Sequence, residues 1–142
     1  MNWKTILVPT DFSPSSDSAL RLATSLARDG GARLLIVHVA EPRPAYTVAG
    51  IYASLPSGNE FEAENEQLRH VAPRDPEIKF ERRFLVGSPA DEIVKCAAAE
   101  GADMIVMGTH GRTGVVRLLL GSVAEAILRH AQCPVLTIKT TH

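Results

Sequence analysis

The chain has 142 residues, 45% hydrophobic and 22% charged, with 15 lysines and arginines against 16 aspartates and glutamates. That length predicts a single domain over residues 1–142, able to bury most of its apolar surface, and a net charge of −1 leaves no broad basic face for DNA or RNA. No segment approaches the ~20 apolar residues of a membrane span, and the apolar stretch near the N-terminus is too short for a signal peptide, so the cytoplasm is the expected compartment.

Thr5-Ile6-Leu7-Val8, closed by Pro9, is a short apolar run that suits a buried parallel strand. Thr10 to Ser15 is rich in capping residues. The helix that follows carries Ala19, Leu20, Ala23, Leu26 and Ala27 on one 3.6-residue face and ends at Gly30-Gly31. Leu34 to Val39 is the second strand. Residues 41–58 hold Pro42, Pro44, Pro56 and two glycines; their length exceeds the ~2–6 residues usual between a strand and a helix and predicts a mobile or functional segment. Glu60 to Val71 reads as a short polar helix, and Ile78 to Val86 as a third strand whose partial alternation fits an exposed edge. Ser88-Pro89-Ala90-Asp91 is a helix start, with a serine cap, a proline at the first helical position and an acid in the first turn. Ile93, Val94, Ala97 and Ala98 face the core from that helix. Ala102 to Met107 is the fourth strand, Ser122 to His130 the last helix and Val135 to Ile138 the fifth strand.

Strands alternating with helices predict an α/β fold with a parallel, doubly wound, Rossmann-like sheet, because right-handed crossovers place helices on both faces. Ligands of such sheets bind beyond the carboxyl ends of the strands, where the strand order reverses. An order of 3-2-1-4-5 makes the first and fourth strands neighbours at that reversal. It brings Asp11 and the loop after the fourth strand into one crevice.

That loop carries the chain's most informative pattern. Gly108-Thr109-His110-Gly111 follows the fourth strand, and Gly121-Ser122 precedes the last helix, giving the spacing G-x2-G-x9-G-S. Glycine permits positive φ and close approach of the backbone to an anion, and a helix N-terminus offers free amides and a partial positive charge. Ser122 can cap the helix or donate its hydroxyl to a phosphate oxygen. The loop reads as a phosphate cradle, although it matches neither G-x4-G-K-[ST] nor G-x-G-x-x-G. The alternative is a flexible loop with a glycine turn.

The chain resembles the universal stress protein family, in its nucleotide-binding branch. The resemblance rests on Ile6-Leu7-Val8-Pro9-Thr10-Asp11-Phe12-Ser13, Val37-His38-Val39, Gly87-Ser88-Pro89-Ala90-Asp91-Glu92-Ile93, the run Met107 to Arg112 continued by Gly121-Ser122-Val123-Ala124, and Cys133-Pro134-Val135-Leu136. It implies the universal stress protein fold, a bound ATP or AMP, and a homodimer. It also implies that Asp11 contacts the nucleoside, with Pro9 and Thr10 shaping the same wall, and that the backbone of Val39 meets the adenine edge. Met107 packs on the base or ribose, or serves only the core. Gly108, Gly111, Gly121 and Ser122 hold the phosphates with the amides of Val123 and Ala124, while Arg112 and Arg117 neutralise charge or stay solvated. The helix near residues 60–71 is shorter than the family norm.

Charge-assisted hydrogen bonds contribute roughly 1.5–3 kcal/mol each, and a micromolar complex needs about 8 kcal/mol net. Four or five such contacts and a buried base therefore suffice without a lysine. Mg2+ can ride on the phosphates. The expected role is a dimeric, nucleotide-dependent regulator of stress response. The alternatives are a slow ATPase or phosphotransferase on the same site, with His110 orienting a phosphate or acting as a base, and a nucleotide-free dimeric interaction module. His38, in an apolar strand, reads as a satisfied core histidine. Cys96 and Cys133 lack a C-x-x-C or metal-ligand spacing and read as packing residues. The apolar edge at Val135–Ile138 would be covered by antiparallel pairing with a second copy.

Overall fold

The computed structural model describes residues 3–42, 61–109 and 121–139. In chain order the elements are β1 (Thr5–Pro9), α1 (Pro14–Gly30), β2 (Arg33–Ala40), α2 (Glu62–Arg69), β3 (Phe80–Val86), α3 (Pro89–Glu100), β4 (Met104–Gly108), α4 (Ser122–His130) and β5 (Val135–Ile138). All strands pair in parallel, in the order β3-β2-β1-β4-β5. The fold class and strand order expected from the sequence are those observed. The segments 43–60 and 110–120 lie outside the described residues, and most of the segment expected to be mobile or functional lies there.

The apolar runs form strands because both faces of the sheet are covered. Ile6, Val8, Leu34, Ile36 and Val106 point to one side and pack with Ala19, Leu20, Ala23 and Ala27 of α1 and Leu68 of α2. Leu7, Leu35, Val37, Ile105 and Met107 point to the other, against Ile93 and Ala97 of α3 and Ala124 and Ile127 of α4. Alternation along a strand thus divides one continuous hydrophobic run between two cores.

The helix ends follow local chemistry. Ser13 caps α1 with its side chain accepting from the Ser16 amide at 3.2 Å, and Pro14 opens the helix. Gly31, at φ 70°, closes it in the left-handed conformation, with its amide bonded to the Ala27 carbonyl. Ser88 is the N-cap residue of α3, but the side-chain cap expected of it is not formed; its carbonyl accepts the ordinary first helical bond from Glu92 N–H at 2.9 Å.

The two sheet edges differ. On β3, Glu81 and Arg82 are exposed, and Arg83 bridges Glu81 at 3.1 Å and Glu100 of α3 at 2.6 Å. On β5, Leu136 is exposed and its neighbours are half-buried.

Candidate functional site

Where β1 ends, the chain turns sharply into α1. Thr10 N–H donates to the Val37 carbonyl at 2.8 Å, extending the ladder one residue past β1. Phe12 then adopts φ 68°, the one non-glycine positive φ among the described residues. Two side chains hold that turn: Thr10 Oγ1 accepts from Phe12 N–H at 3.1 Å, and Asp11 Oδ1 from Ser13 N–H at 3.0 Å. Backbone held in a sparsely populated region is a feature of ligand clamps.

Across the reversal, β4 ends at Gly108. The sequence suggested that this glycine frees the backbone to meet an anion with positive φ. Instead its φ is not positive, and a Cβ on it would lie 2.8 Å from the Ser15 carbonyl oxygen, inside contact distance. Gly108 is required where α1 crosses β4. Gly121, at φ −65° and ψ 159°, is likewise unstrained. It is the N-cap of α4, so Ser122 is the first helical residue rather than the cap. Thr109 N–H and Oγ1 both donate to the Ile138 carbonyl, at 3.1 and 3.2 Å, and the Thr109 carbonyl accepts from Gly121 N–H at 3.4 Å. The two ends of the glycine loop are therefore tied together, and the first-turn amides of α4, which have no carbonyl within the helix to bond, start beside β4.

These pieces surround one cleft of about 740 Å³. Pro9, Thr10 and Asp11 line it from β1, Val39 from β2, Met107 and Gly108 from β4, and Gly121, Ser122 and Val123 from the start of α4. Gly111, Arg112, His110 and Arg117 lie outside the described residues. Asp11 fills the turn role, bracing the turn through Ser13 N–H, and it also lines the cleft. Met107 is 4% exposed and belongs to the core as well as the wall.

Residues that sequence reasoning did not place here include Ser16, Glu41, Glu64 and Ile93. The fourth-strand neighbour Thr109 was also passed over. Glu64 reaches the site through His38, which is 4% exposed: Nδ1 is 2.7 Å from the Thr10 carbonyl and Nε2 2.5 Å from Glu64 Oε2. The core histidine is satisfied as expected, and that expectation was the one sequence signal that a partner had to exist. Cys96 and Cys133 pack against the core under α3 and α4, and burial pushes both thiols up from their ordinary range, so neither is an activated nucleophile.

The cleft is electrically lopsided. Its charged lining residues among those described are Asp11 in the β1–α1 turn, Glu41 just after β2 and Glu64 of α2. The opposite end is formed by the positive pole of α4. Such a site favours a ligand with hydroxyl or amino donors at one end and an anion at the other.

The sequence profile of the Universal stress protein family matches residues 2–139. This chain belongs to the universal stress protein family. Universal stress protein MJ0531 of Methanocaldococcus jannaschii is 35% identical, over 96% of this chain and 82% of its own. Among solved structures, MJ0577 of the same organism superposes with a TM-score of 0.77 at 30% identity, covering 100% of this chain and 99% of that one. The universal stress protein from Archaeoglobus fulgidus in complex with dAMP superposes with a TM-score of 0.71 at 27% identity, over 98% and 100%. Among the described residues no helix is long and apolar enough to cross a membrane.

Proposed function

We propose that this universal stress protein binds an adenine nucleotide, ATP or AMP, in the cleft between β1 and β4, and acts as a cytoplasmic, nucleotide-dependent regulator in stress response. The observation that carries the reading is the meeting of Asp11 and the α4 N-terminus across one cavity at the strand-order reversal. A volume of about 740 Å³ is in the range of small-molecule sites, ~300–1,000 Å³. The dAMP complex of the Archaeoglobus relative supports an adenine nucleotide as the occupant. Asp11 faces the nucleoside, the Val39 backbone the adenine edge, and the amides of Ser122, Val123 and Ala124 with the Ser122 hydroxyl the phosphates. Pro9, Thr10 and Met107 shape the walls. Gly111 and Arg112 complete the phosphate end, and Mg2+ is carried on the phosphates of ATP.

Freshly purified protein, once denatured, should release adenine nucleotide in a near-stoichiometric amount by mass spectrometry. ADP formation over time by the folded protein tests the slow ATPase alternative. The Gly121→Val variant should fold, because among the described residues a Cβ there meets nothing closer than the Thr109 carbonyl at 3.6 Å, yet lose the nucleotide because its branched side chain fills the phosphate space. Unchanged affinity in that variant would place the phosphates elsewhere.

We further propose a homodimer through Val135–Ile138, supported by the exposure of Leu136 on β5 and of Leu128 on neighbouring α4. Light scattering of Leu136→Lys against the parent tests it. A parent that is monomeric at micromolar concentration overturns it.

A further inference from the structure

Both nitrogens of the buried His38 ring face groups that can only accept. Nδ1 is 2.7 Å from a main-chain carbonyl, that of Thr10, and Nε2 is 2.5 Å from a carboxylate oxygen of Glu64. A neutral imidazole carries one N–H and can satisfy only one of them. The second contact requires another proton, on the ring or on the carboxyl group. Without it, two lone-pair atoms face each other beside a side chain that is 5% exposed, and an unmade bond of that kind is expensive.

We infer that His38 and Glu64 share one proton, and that this proton latches α2 onto the wall of the cleft. Among the described residues α2 has few other anchors, one of them the ring of its N-cap residue Phe61 beside Phe84, 6.1 Å between centroids. Leu68 is its one buried residue, and the remaining positions from Glu62 to Arg69 are exposed or half-buried. Phe12 and Phe84 flank the His38 ring at 4.4 and 5.7 Å between centroids, closing it off from the β1–α1 turn and from β3. Among the described residues, the other titratable groups on this part of the wall are Asp11 of the β1–α1 turn and Glu41 after β2. On α2 itself Glu66 pairs outward with Arg69 and His70, and on β3 Arg83 is paired with Glu81 and Glu100.

The sign follows from the proton count. The docked pair needs one proton between the two side chains, because both ring nitrogens face acceptors; once separated, each side chain finds its partners in water and needs none. Docking therefore takes up a proton and weakens as pH rises. Since His38 and Glu64 both line the cleft, the latch couples proton activity to the shape of the site; that consequence rests on the nucleotide reading, while the latch does not.

The test is amide hydrogen exchange of the ligand-free protein across about pH 5 to 8, with protection factors of α2 referred to those of α1. In the parent, protection of α2 should fall about ten- to a hundredfold as pH rises, the range expected for loss of a charge-assisted hydrogen bond. Glu64→Gln keeps the shape but adds an N–H that can donate to a neutral Nε2. Its α2 should stay protected with no pH dependence. Glu64→Ala should be unprotected throughout. A flat profile in the parent, or a Glu64→Gln profile that follows the parent's, overturns the latch. Because no nucleotide is present, either failure leaves the binding proposal to be judged by its own experiment.

Discussion

Replacing Gly108 with alanine separates the packing role of this glycine from any role in binding. The added Cβ would lie 2.8 Å from the Ser15 carbonyl oxygen and 2.9 Å from its carbonyl carbon. Both atoms are main chain in the first turn of α1, so no change of rotamer relieves the contact. Ordinary separations between non-bonded carbons are about 3.5–4.0 Å, which requires the start of α1 to retreat from β4 by about half an ångström or more. Overpacking of this kind costs typically ~1–3 kcal/mol, and a rigid receiving backbone places Gly108→Ala in the upper part, about 2–3 kcal/mol. For a chain of this length the melting temperature should fall by about 6–12 °C. Urea denaturation followed by Trp3, the single tryptophan, reads the loss directly, since that ring packs on the α1 side of the core. Gly121→Ala is the control. With φ −65° and its Cβ 3.6 Å from the Thr109 carbonyl, it should stay within about 0.5 kcal/mol of the parent. A Gly108→Ala variant as stable as the parent, or a Gly121→Ala variant equally damaged, would refute the packing argument.

Ser13→Ala removes the side-chain cap of α1 at a buried position and should lower stability by about 1–2 kcal/mol in the same urea assay. Asp103 tests a charge: its Oδ2 accepts from the amides of Lys4 and Thr5 at 2.8 and 2.9 Å, and those bonds hold its carboxyl below the ordinary aspartate range. Its contribution is therefore present above that range, about pH 4, and disappears as pH falls through the lower folded-state value. Asp103→Asn should flatten the acid limb of the stability profile; an unchanged limb would show that the contact between the N-terminal segment and β4 carries no charge-dependent stability.

Much of the architecture could be read from the residues because local and global preferences agree. Short, uninterrupted apolar runs, such as Ile6 to Val8 and Leu34 to Val37, have no amphipathic face to expose and become central strands. Gly31 and Pro14 mark the ends of α1 through φ preferences that need no tertiary information. The N-terminus of α4 at Ser122 and both limits of β5 follow in the same way. What local patterns could not supply was contact across the chain. The tight crossing that demands Gly108 depends on Ser15, far away in sequence, and the partner of His38 sits 26 residues downstream in a helix crowded with equivalent glutamates. Gly108 illustrates this well: its position was legible, but the helix passing over it, which leaves no room for a Cβ, was not.

The unequal edges of the sheet limit how copies of this chain can add to one another. A strand approaching β3 meets the Glu81, Arg82 and Arg83 row, whose solvation it would have to strip away. Among the described strands, β5 (Val135–Ile138) carries no charged residue along its border. Any lengthening of the sheet from one molecule into the next must join like border to like border, which consumes both and terminates growth. A sheet extended through β5 alone would therefore stop at two copies.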